Sequence, residues 1–400
     1  MLVTVTGHDR PGVTSALFEA LSAHDVTVLD VEQVVIRGRL ILGVLVTAPA
    51  ATDRSVDDAL TAVLAPMGMD IEVSRSGSDG EHDDPRRRGR SHVTVLGHPL
   101  LPRAMAGLAG CIAGCGGNID RIVRIAHYPV TAVELEVSGA APADLRSRLA
   151  VAASALGVDV AVERSGLQRR AKRLVVLDVD STLVQGEVIE MLAAHAGCAR
   201  EVAAITEAAM RGELDFAEAL RSRVALLEGV DASALDAVRR SVQLAPGART
   251  FVRTLKRLDY KLAIVSGGFT QVTDMLVDEL GLDYAAANTL EVVDGRLTGR
   301  VVGTVLDRAG KASALEQFAR DAGVPLSQTV AIGDGANDLD MLAIAGLGIA
   351  FNAKPLVREA ADASLSVPYL DAILFLLGIS RHEIEAADAE EGVVATRPPT

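Results

Sequence analysis

Leu174-Val175-Val176-Leu177-Asp178-Val179-Asp180-Ser181-Thr182 joins four apolar residues to two carboxylates and two hydroxyls. The apolar run predicts a buried β-strand, and ligands of open α/β sheets bind beyond the carboxyl ends of the strands. A turn here can place one aspartate as a nucleophile and the other as a proton donor. Since many surface loops carry a lone Asp-x-Asp, this interpretation depends on matching chemistry at other strand ends.

Three later segments supply polar groups that suit a phosphate or a metal ion. Ser266-Gly267-Gly268 follows an apolar run and precedes a predicted helix, so a hydroxyl and backbone amides are available for phosphate oxygens. Lys311 opens a predicted helix after Gly310 and offers a positive charge, although a lone lysine there is usually exposed. Gly333-Asp334-Gly335-Ala336-Asn337-Asp338 ends a further apolar run, and its carboxylates suit a hard cation. The ordered set is far more specific than any one member.

Apolar runs alternate with helical patterns from Lys172 onward. The predicted strands are Leu174–Leu177, Leu262–Val265, Thr329–Ile332 and Leu347–Phe351. Short, continuously apolar strands between helices are typical of a parallel sheet that helices cover on both faces. We therefore expect an α/β domain over 172–385, with a helical cap at about 185–244, and a disordered tail over 386–400.

The residues before this domain contain an internal repeat. Val3-Thr4-Val5-Thr6-Gly7-His8 returns as Val93-Thr94-Val95-Leu96-Gly97-His98, 90 positions later. Each copy is followed by a helix, two strands, a helix and a short strand, which gives the ferredoxin-like α+β order βαββαβ twice. The units are expected over 1–75 and 92–166, with a charged, glycine-rich linker over 76–91.

The composition excludes several classes of partner. A formal net charge of −14 over 400 residues argues against nucleic-acid binding, which requires a basic surface. No apolar run reaches the roughly 18 residues of a membrane span, and the first residues lack a signal-peptide pattern. Cys111, Cys115 and Cys198 have the spacing of neither a disulfide framework nor a metal site, so we expect a cytoplasmic protein. In so acidic a chain, a phosphate site needs local cations or a bound metal ion.

The four segments, in this order, resemble the motifs of the haloacid-dehalogenase superfamily of aspartyl phosphotransferases, over roughly Lys172–Gly378. The resemblance implies a Rossmann-like core with a helical cap. It implies that Asp178 attacks phosphorus, while Asp180 protonates the leaving oxygen and then deprotonates the hydrolytic water. The implied cofactor is Mg²⁺, with the ligands Asp178, the backbone carbonyl of Asp180, Asp334 and Asp338. The implied contacts of the phosphoryl group are Ser266, Gly267 and Lys311, with Asn337 beside the site.

Within the superfamily, the chain closely resembles the phosphoserine phosphatase family. By this resemblance, Glu187 in the cap binds the substrate ammonium and Arg223 its carboxylate, a pairing that suits the zwitterion O-phospho-L-serine. On spacing alone, both would be ordinary charges on a helix surface, and Arg221 is a near alternative to Arg223. Two apolar residues also match and are expected to line the cap, Met210 and Phe216.

The two repeats resemble ACT domains, small modules that bind amino acids at their interfaces. Gly12, at the start of the first helix, lies in a loop that matches the ACT pattern. Asn118, in the second repeat, matches an asparagine that faces the ligand in such domains. In the second repeat Arg103 replaces the glycine of the helix start, which departs from the pattern. The resemblance implies an amino-acid effector such as L-serine and a homodimer formed through the ACT domains. The alternative is a dimerisation platform without a ligand.

We therefore expect a phosphatase that hydrolyses O-phospho-L-serine to L-serine and phosphate, the last step of L-serine biosynthesis, through an aspartyl-phosphate intermediate. One alternative is a phosphatase or phosphotransferase for another small phosphate, such as phosphothreonine or phosphohomoserine. The other is a catalytically retired amino-acid sensor, which is weakened because the sequence lacks none of the motif residues.

Replacement of Asp178 by asparagine is expected to abolish phosphate release from phosphoserine in the presence of Mg²⁺. The amide has nearly the shape of the carboxylate but is not a nucleophile, so the fold should remain intact. Circular dichroism checks the fold, and turnover near the wild-type rate would remove Asp178 from this role.

Overall fold

The computed structural model describes residues 1–47, 55–75, 90–210 and 214–393. Within these ranges, the side chains of Leu167, Gln168 and Met210 are not described. The chain divides into two compact units, Met1–Asp84 and Pro85–Thr400. Most of the predicted linker over 76–91 lies outside the described residues. No helix within the described ranges is both long and apolar enough to cross a lipid bilayer.

The first unit is an antiparallel sheet with two helices. It contains β1 (Leu2–His8), α1 (Val13–Ser22), β2 (Val28–Ile36), β3 (Arg39–Val46), α2 (Ser55–Leu64) and β4 (Met69–Ser74). The strand order β2-β3-β1-β4 confirms the predicted βαββαβ fold. Alternate residues of β3 (Leu40, Leu42, Val44) are buried in one core with Leu17 of α1 and Leu60 of α2, as expected of a sheet with one covered face.

Strand β2 is the exposed edge of this sheet. It runs from Val28 to Ile36. Every residue in it is exposed, including large apolar ones such as Leu29 and Val34. An edge strand of this kind presents unpaired backbone groups beside apolar side chains.

The second unit begins with the same order of elements. They are β5 (Ser91–Gly97), α3 (Pro102–Gly114), β6 (Asn118–Ala126), β7 (Thr131–Ser138), α4 (Pro142–Leu156) and β8 (Asp159–Arg164). Strand β5 pairs antiparallel with β7 and β8, and β6 pairs with β7. The second predicted α+β unit is therefore confirmed, with bounds that differ from the prediction by a few residues.

The rest of the second unit is an α/β domain. Its strands are β9 (Leu174–Asp178), β10 (Lys261–Phe269), β11 (Tyr284–Val293), β12 (Arg296–Val302), β13 (Thr329–Gly333), β14 (Gly348–Phe351) and β15 (Ala363–Leu365). Its helices are α5 (Val188–Ala196), α6 (Ala199–Met210), α7 (Phe216–Ala225), α8 (Ser233–Ser241), α9 (Ala248–Arg257), α10 (Thr270–Leu280), α11 (Arg308–Asp321), α12 (Leu339–Ile344), α13 (Pro355–Ala360), α14 (Ile373–Leu376) and α15 (Arg381–Glu390). The strand order is β12-β11-β10-β9-β13-β14-β15, and all neighbouring pairs except β11–β12 are parallel. The predicted parallel sheet is confirmed.

The register of the central strands aligns their carboxyl ends. Asp178 at the end of β9 pairs with Val265, so Ser266 follows at the same level of β10. On the other side Leu177 pairs with Ile332, so Gly333 and the loop after it lie at the same edge. The strands thus bring the three motif loops together, as expected for parallel strands.

Helices α5–α8 form the cap, between β9 and α9. Its two connections to the core pair with each other: Gln185 N donates to Gln243 O (2.8 Å), and Ala245 N donates to Leu183 O (2.8 Å). The cap also pairs with the β11–β12 hairpin, where Gly229 N donates to Leu297 O (2.8 Å). These backbone bonds fix the cap at both its base and its side.

The second α+β unit and the α/β domain share one sheet, which the sequence did not predict. Strand β15 pairs antiparallel with β8 through Ala363 and Ala161, so the sheet has 11 strands in all. Residues of the α+β unit, such as Leu96 and Ala132, belong to the same hydrophobic core as Ile349 and Phe375. The two modules that the sequence separates are one packed body.

The predicted disordered tail over 386–400 is wrong for its first part. Helix α15 continues to Glu390, and Asp388 is buried, accepting hydrogen bonds from Arg253 and Arg257 of α9. A capping box between Ser380 and Glu383 starts this helix. The acidic composition suggested disorder, but the acidic residues face arginines across the domain. Residues 394–400 lie outside the described ranges.

Candidate active site

Asp178, the predicted nucleophile, is the last residue of β9 and is 3% exposed. Its Oδ1 accepts hydrogen bonds from Val179 N (2.8 Å) and from Lys311 Nζ (2.7 Å). The strand and the bonds to this one oxygen hold the carboxylate in a fixed orientation. A fixed, buried carboxylate at a sheet edge is suited to attack on a substrate that enters from the cap side.

Lys311 is fully buried, at 0% exposure, whereas a lone lysine in this sequence position is usually exposed. Helix α11 begins at Arg308 with Asp307 as its N-cap, so Lys311 lies within the first turn instead of opening the helix. Its ammonium bonds to Asp338 Oδ1 (2.8 Å) as well as to Asp178. Burial lowers the pKa of Lys311, but the charges of the two carboxylates outweigh this and raise it, so the side chain is cationic.

Three predicted metal ligands converge beside this lysine. Asp178, Asp334 and Asp338 each offer a carboxylate oxygen, and these oxygens lie within 4.8 Å of one another. Oxygen ligands in a small cluster are what Mg²⁺ requires. Lys311 offsets one of the carboxylate charges, and a divalent cation would balance the others. The residues therefore fit the expected ion, while the carboxylate of Asp180, whose backbone carbonyl was the predicted ligand, has other partners.

The carboxylates of this cluster repel one another. Burial, and next the charge of Asp338, raise the pKa of Asp178 well above its usual range, against the opposing charge of Lys311. Burial and Asp338 likewise raise the pKa of Asp334 to about 6. A nucleophilic carboxylate must be ionised, so this cluster needs a further positive charge to act at neutral pH. That requirement agrees with a cation among the three aspartates.

Gly333 makes room for the cluster at the end of β13. A Cβ at this position would lie 2.4 Å from the Cγ of Asp338, closer than any side chain tolerates. Asp338 Oδ2 also accepts a hydrogen bond from Gly335 N (3.0 Å). Gly333 is therefore required because the Asp338 carboxylate folds back over it, whereas a Cβ on Gly335 would lie 2.1 Å from Asn337 Oδ1.

Asp180, the predicted acid and base, faces the cap and the phosphate loop. Its Oδ1 accepts a hydrogen bond from Val188 N (2.8 Å) at the start of α5, and its Oδ2 accepts one from Ser266 Oγ (3.0 Å). Burial raises the pKa of Asp180, against these hydrogen bonds and the charges of Lys311 and Arg223. A raised pKa favours the protonated form that a proton donor needs.

The predicted phosphate loop follows at the end of β10. Ser266 Oγ accepts a hydrogen bond from Gly268 N (2.7 Å) while it donates to Asp180. A Cβ on Gly267 would lie 2.9 Å from the Cζ of Phe216, so the ring of this cap residue lies directly against the loop. The cap and the phosphate loop are thus in contact in this structure, and Phe216 lies where an apolar wall was predicted.

The predicted substrate contacts Glu187 and Arg223 both lie in the cap. Glu187 is the N-cap of α5, and burial, followed by the charges of Asp180 and Asp334, raises its pKa to about 7. Arg223 on α7 is half-buried; its Nη1 donates to Thr206 Oγ1 (3.5 Å), and burial lowers its pKa against the opposing charge of Glu187. A carboxylate and a guanidinium of the cap are thus close enough to Asp180 to interact with its charge, whereas Arg221 is exposed.

Two polar side chains support the site, and sequence reasoning gave them no role. Asn288 on β11 is buried: its Nδ2 donates to Gly267 O (2.9 Å), and its Oδ1 accepts from Leu306 N (2.8 Å). It therefore connects the phosphate loop to the segment that leads into the helix of Lys311. Thr182 Oγ1 donates to Asp334 Oδ1 (3.2 Å). The signal for Asn288 was an amide directly after three alanines of β11.

Four predicted residues remain, Asn337, Met210, Gly12 and Asn118. Asn337 lies in a short turn beside Asp338, against Gly335. The side chain of Met210 lies outside the described part of the chain. In the first unit, Gly12 precedes α1 with φ 97°, a left-handed conformation that suits glycine. In the second unit, Asn118 is exposed at the start of β6 and donates to Asp120 Oδ1 (2.8 Å). Ligand binding at Gly12 and Asn118 stays a prediction.

Comparison with protein families gives three matches along the chain. Residues 175–343 match the haloacid dehalogenase-like hydrolases. Residues 1–74 and 90–163 each match an ACT domain family. The matches fall on the α/β domain and on the two α+β units.

Two curated proteins are similar over nearly the full chain. A phosphoserine phosphatase of Streptomyces coelicolor is 61% identical over 97% of this chain and 94% of its own length. The phosphoserine phosphatase SerB2 of Mycobacterium tuberculosis is 56% identical over 97% of this chain and 95% of its own length. The similarity therefore extends through the ACT domains as well as the α/β domain.

Solved structures give the same fold. A probable phosphoserine phosphatase from Vibrio cholerae in unliganded form has a TM-score of 0.58 and 34% identity, and covers 78% of this chain and 92% of that chain. A haloacid-dehalogenase family hydrolase from Salmonella enterica has a TM-score of 0.64 and 29% identity, and covers 72% of this chain and 98% of that chain.

Replacement of Gly333 by alanine is expected to weaken binding of Mg²⁺, because the new Cβ must displace the Asp338 carboxylate. Displaced supporting groups at metal sites typically cost about 10–100-fold in affinity. Isothermal titration with Mg²⁺ measures the loss, and Gly110→Ala is the control, since Gly110 lies in a helix with open space at its Cβ. Equal affinities in wild type and Gly333→Ala would contradict this account of the site.

Proposed function

Since the chain belongs to the phosphoserine phosphatases of the haloacid dehalogenase-like hydrolases, with two N-terminal ACT domains, we propose that it hydrolyses O-phospho-L-serine to L-serine and phosphate. The observation that carries this proposal is the convergence of Asp178, Asp180 and Lys311 at one sheet edge, beneath a cap that carries Glu187 and Arg223. The product places the reaction at the end of L-serine synthesis.

In the first step, a carboxylate oxygen of Asp178 attacks phosphorus. The bond between phosphorus and the serine oxygen breaks, and Asp180 donates its proton to that oxygen. Asp180 is suited to this because burial raises its pKa. Lys311, Ser266 and the amide of Gly267 bind the phosphoryl oxygens, whose negative charge they stabilise. The step leaves L-serine and an aspartyl phosphate on Asp178.

In the second step, Asp180, now ionised, removes a proton from a water molecule that attacks the same phosphorus. The bond between phosphorus and Asp178 breaks, and inorganic phosphate leaves. Mg²⁺ held by Asp178, the carbonyl of Asp180, Asp334 and Asp338 would neutralise phosphate charge when bound. Thr182 keeps the Asp334 carboxylate in position through its hydrogen bond, and Asn337 lies in the turn beside Asp338.

The substrate is selected by the cap. Glu187 pairs with the ammonium of phosphoserine, and Arg223 forms a charged hydrogen-bonded pair with its carboxylate. Both side chains are half-buried, so each pairs with its partner partly shielded from bulk water, which strengthens the interaction. Phe216, which lies against Gly267 of the phosphate loop, supplies an apolar wall around the short serine side chain.

Arg223→Ala is expected to lower kcat/KM for phosphoserine by about 100-fold or more, because the carboxylate of the substrate loses its charged partner. Phosphate release is measured with phosphoserine, phosphothreonine and phosphohomoserine, with Mg²⁺ and with a chelator in its place. The matched control is Arg221→Ala, which removes an exposed charge from the same helix and should change kcat/KM by less than twofold.

A wild-type enzyme that prefers phosphothreonine or phosphohomoserine would replace the proposed substrate. No phosphate release from any of the three with Mg²⁺ present would favour the retired sensor. Equal effects of the two arginine substitutions would remove Arg223 from the substrate site. Full activity in the presence of the chelator would contradict the requirement for a metal ion.

We further propose a homodimer formed through the ACT domains, with a free amino acid as effector. Strand β2 exposes apolar side chains at one sheet edge, and β6 is the edge of the other sheet, with Ile122 exposed. Open edges of this kind accept a strand from another chain. The unpaired thiols of Cys111, Cys115 and Cys198 are consistent with a reducing compartment, and we propose the cytoplasm.

Light scattering is expected to give twice the mass of one chain, and L-serine is expected to lower the rate as product feedback. Asn118→Ala should reduce the sensitivity to L-serine without a change in the rate at zero effector. A monomer in solution would exclude the dimer. A kinetic scan in which no amino acid changes the rate would leave the ACT domains without a regulatory ligand.

A further inference from the structure

We propose that Arg381 is a positioning residue for the cap: it holds the cap root through Asp371 and ties it to the second ACT domain. The cap root is defined here as residues 183–185 and 243–247, which connect the cap to the core. The inference rests on the proposed function, because the cap carries the substrate contacts Glu187 and Arg223. Within the described residues, the contacts of Arg381 involve none of the side chains assigned to catalysis.

The cap root is a short antiparallel ribbon. Val184 and Leu244 form an isolated bridge, flanked by the backbone bonds from Gln185 N and Ala245 N. Leu183 is the first residue of this ribbon and directly follows the loop that carries Asp178 and Asp180. A displacement of the ribbon therefore moves the base of the cap relative to the catalytic loop.

The outer side of the ribbon rests on the segment before α14. Leu370 N donates to Pro246 O (2.8 Å), and the Asp371 carboxylate lies against Gly247. A Cβ on Gly247, where φ is 81°, would lie 2.2 Å from Asp371 Oδ1. The glycine is required here because of both its backbone conformation and the close approach of the carboxylate. The position of Asp371 and the position of the cap root are thus linked by direct contact.

Arg381, the first residue of α15, fixes Asp371. Its Nη2 donates to Asp371 Oδ2 (2.7 Å), and the two side chains are 8% and 9% exposed. Its Nε donates to the backbone oxygen of Tyr128 (3.0 Å), in the β6–β7 connection of the second ACT domain. The guanidinium also lies over two aromatic rings, 5.6 Å from the centroid of Tyr128 and 5.3 Å from that of Phe375.

Burial makes this arrangement sensitive to the loss of the arginine. A buried carboxylate that loses its charged partner is strongly destabilised, and a shift of Asp371 toward water would take it from its place against Gly247. The contact that supports the cap root would then be lost. An ion pair that does join the two domains, Arg146 with Asp362, is partly exposed and does not touch the root. It provides a control for mere loss of an interdomain contact.

The test compares Arg381→Met with Arg146→Met in the full chain, on phosphoserine and on p-nitrophenyl phosphate. The second substrate has neither an ammonium nor a carboxylate, so it does not use the charged groups of the cap. For Arg381→Met we expect kcat/KM for phosphoserine to fall by about tenfold, mainly through KM, with less than a twofold change on p-nitrophenyl phosphate. Arg146→Met should change neither by more than about twofold.

Arg381→Lys keeps the charge but not the forked pair of bonds, so it should recover part of the loss. Arg381→Lys can also be compared with the wild type if Arg381→Met does not fold. Hydrogen exchange gives a readout that does not depend on activity: the amides of Gln185, Ala245 and Leu370 should exchange faster in Arg381→Met than in wild type. The amides of β10 should not.

Equal losses on both substrates, or the same pattern in Arg146→Met, would overturn the proposal, since either result indicates general destabilisation. Unchanged exchange at the cap root would also overturn it. If the wild type hydrolyses p-nitrophenyl phosphate but not phosphoserine, the proposed function fails, and the exchange measurement still decides the role of Arg381.

Discussion

The bonds from Lys311 to Asp178 and Asp338 are the interaction on which the site depends. They connect three separate segments: the end of β9, the first turn of α11 and the loop after β13. A buried lysine between two buried carboxylates leaves a net negative charge, and the third carboxylate, Asp334, adds to it. The site is therefore built for further positive charge, which makes it attractive to a cation and, through the cation, to a phosphate.

The scaffold makes this cluster possible because the register of the parallel strands is fixed by burial. Alternate residues of β13 pack in two different cores, Val330 and Ile332 in one and Ala331 in the other, so a one-residue shift against β9 would exchange the side chains that fill the two cores. The strand register therefore also determines the positions of the catalytic loops. The cap packs on this scaffold through apolar residues of α5 and α7 against Phe269 and Val272, and backbone bonds hold it at its base and at the hairpin.

Much of the fold followed from the sequence because it depended on local patterns. The apolar run before Asp178 and the repeat of Val3–His8 at Val93–His98 were enough to place the α/β domain and both α+β units. Contacts between distant segments were not predictable in this way. Nothing near Lys311 in the sequence indicates full burial, and nothing near Asp388 indicates that arginines of α9 cover it. Asn288 and Arg381 act through partners far away in the chain, which spacing alone does not reveal.

The shared sheet changes what a domain boundary means in this chain. Because β8 covers the edge of β15 and both sides contribute to one core, residues 90–166 and the α/β domain lose their stability together. Cooperative unfolding therefore crosses the limit between two sequence families. A chain shortened to the α/β domain alone would leave β15 as a bare edge beside uncovered apolar side chains, a surface that favours self-association. Inheritance in modules and stability in modules are, for this protein, two different divisions of the same chain.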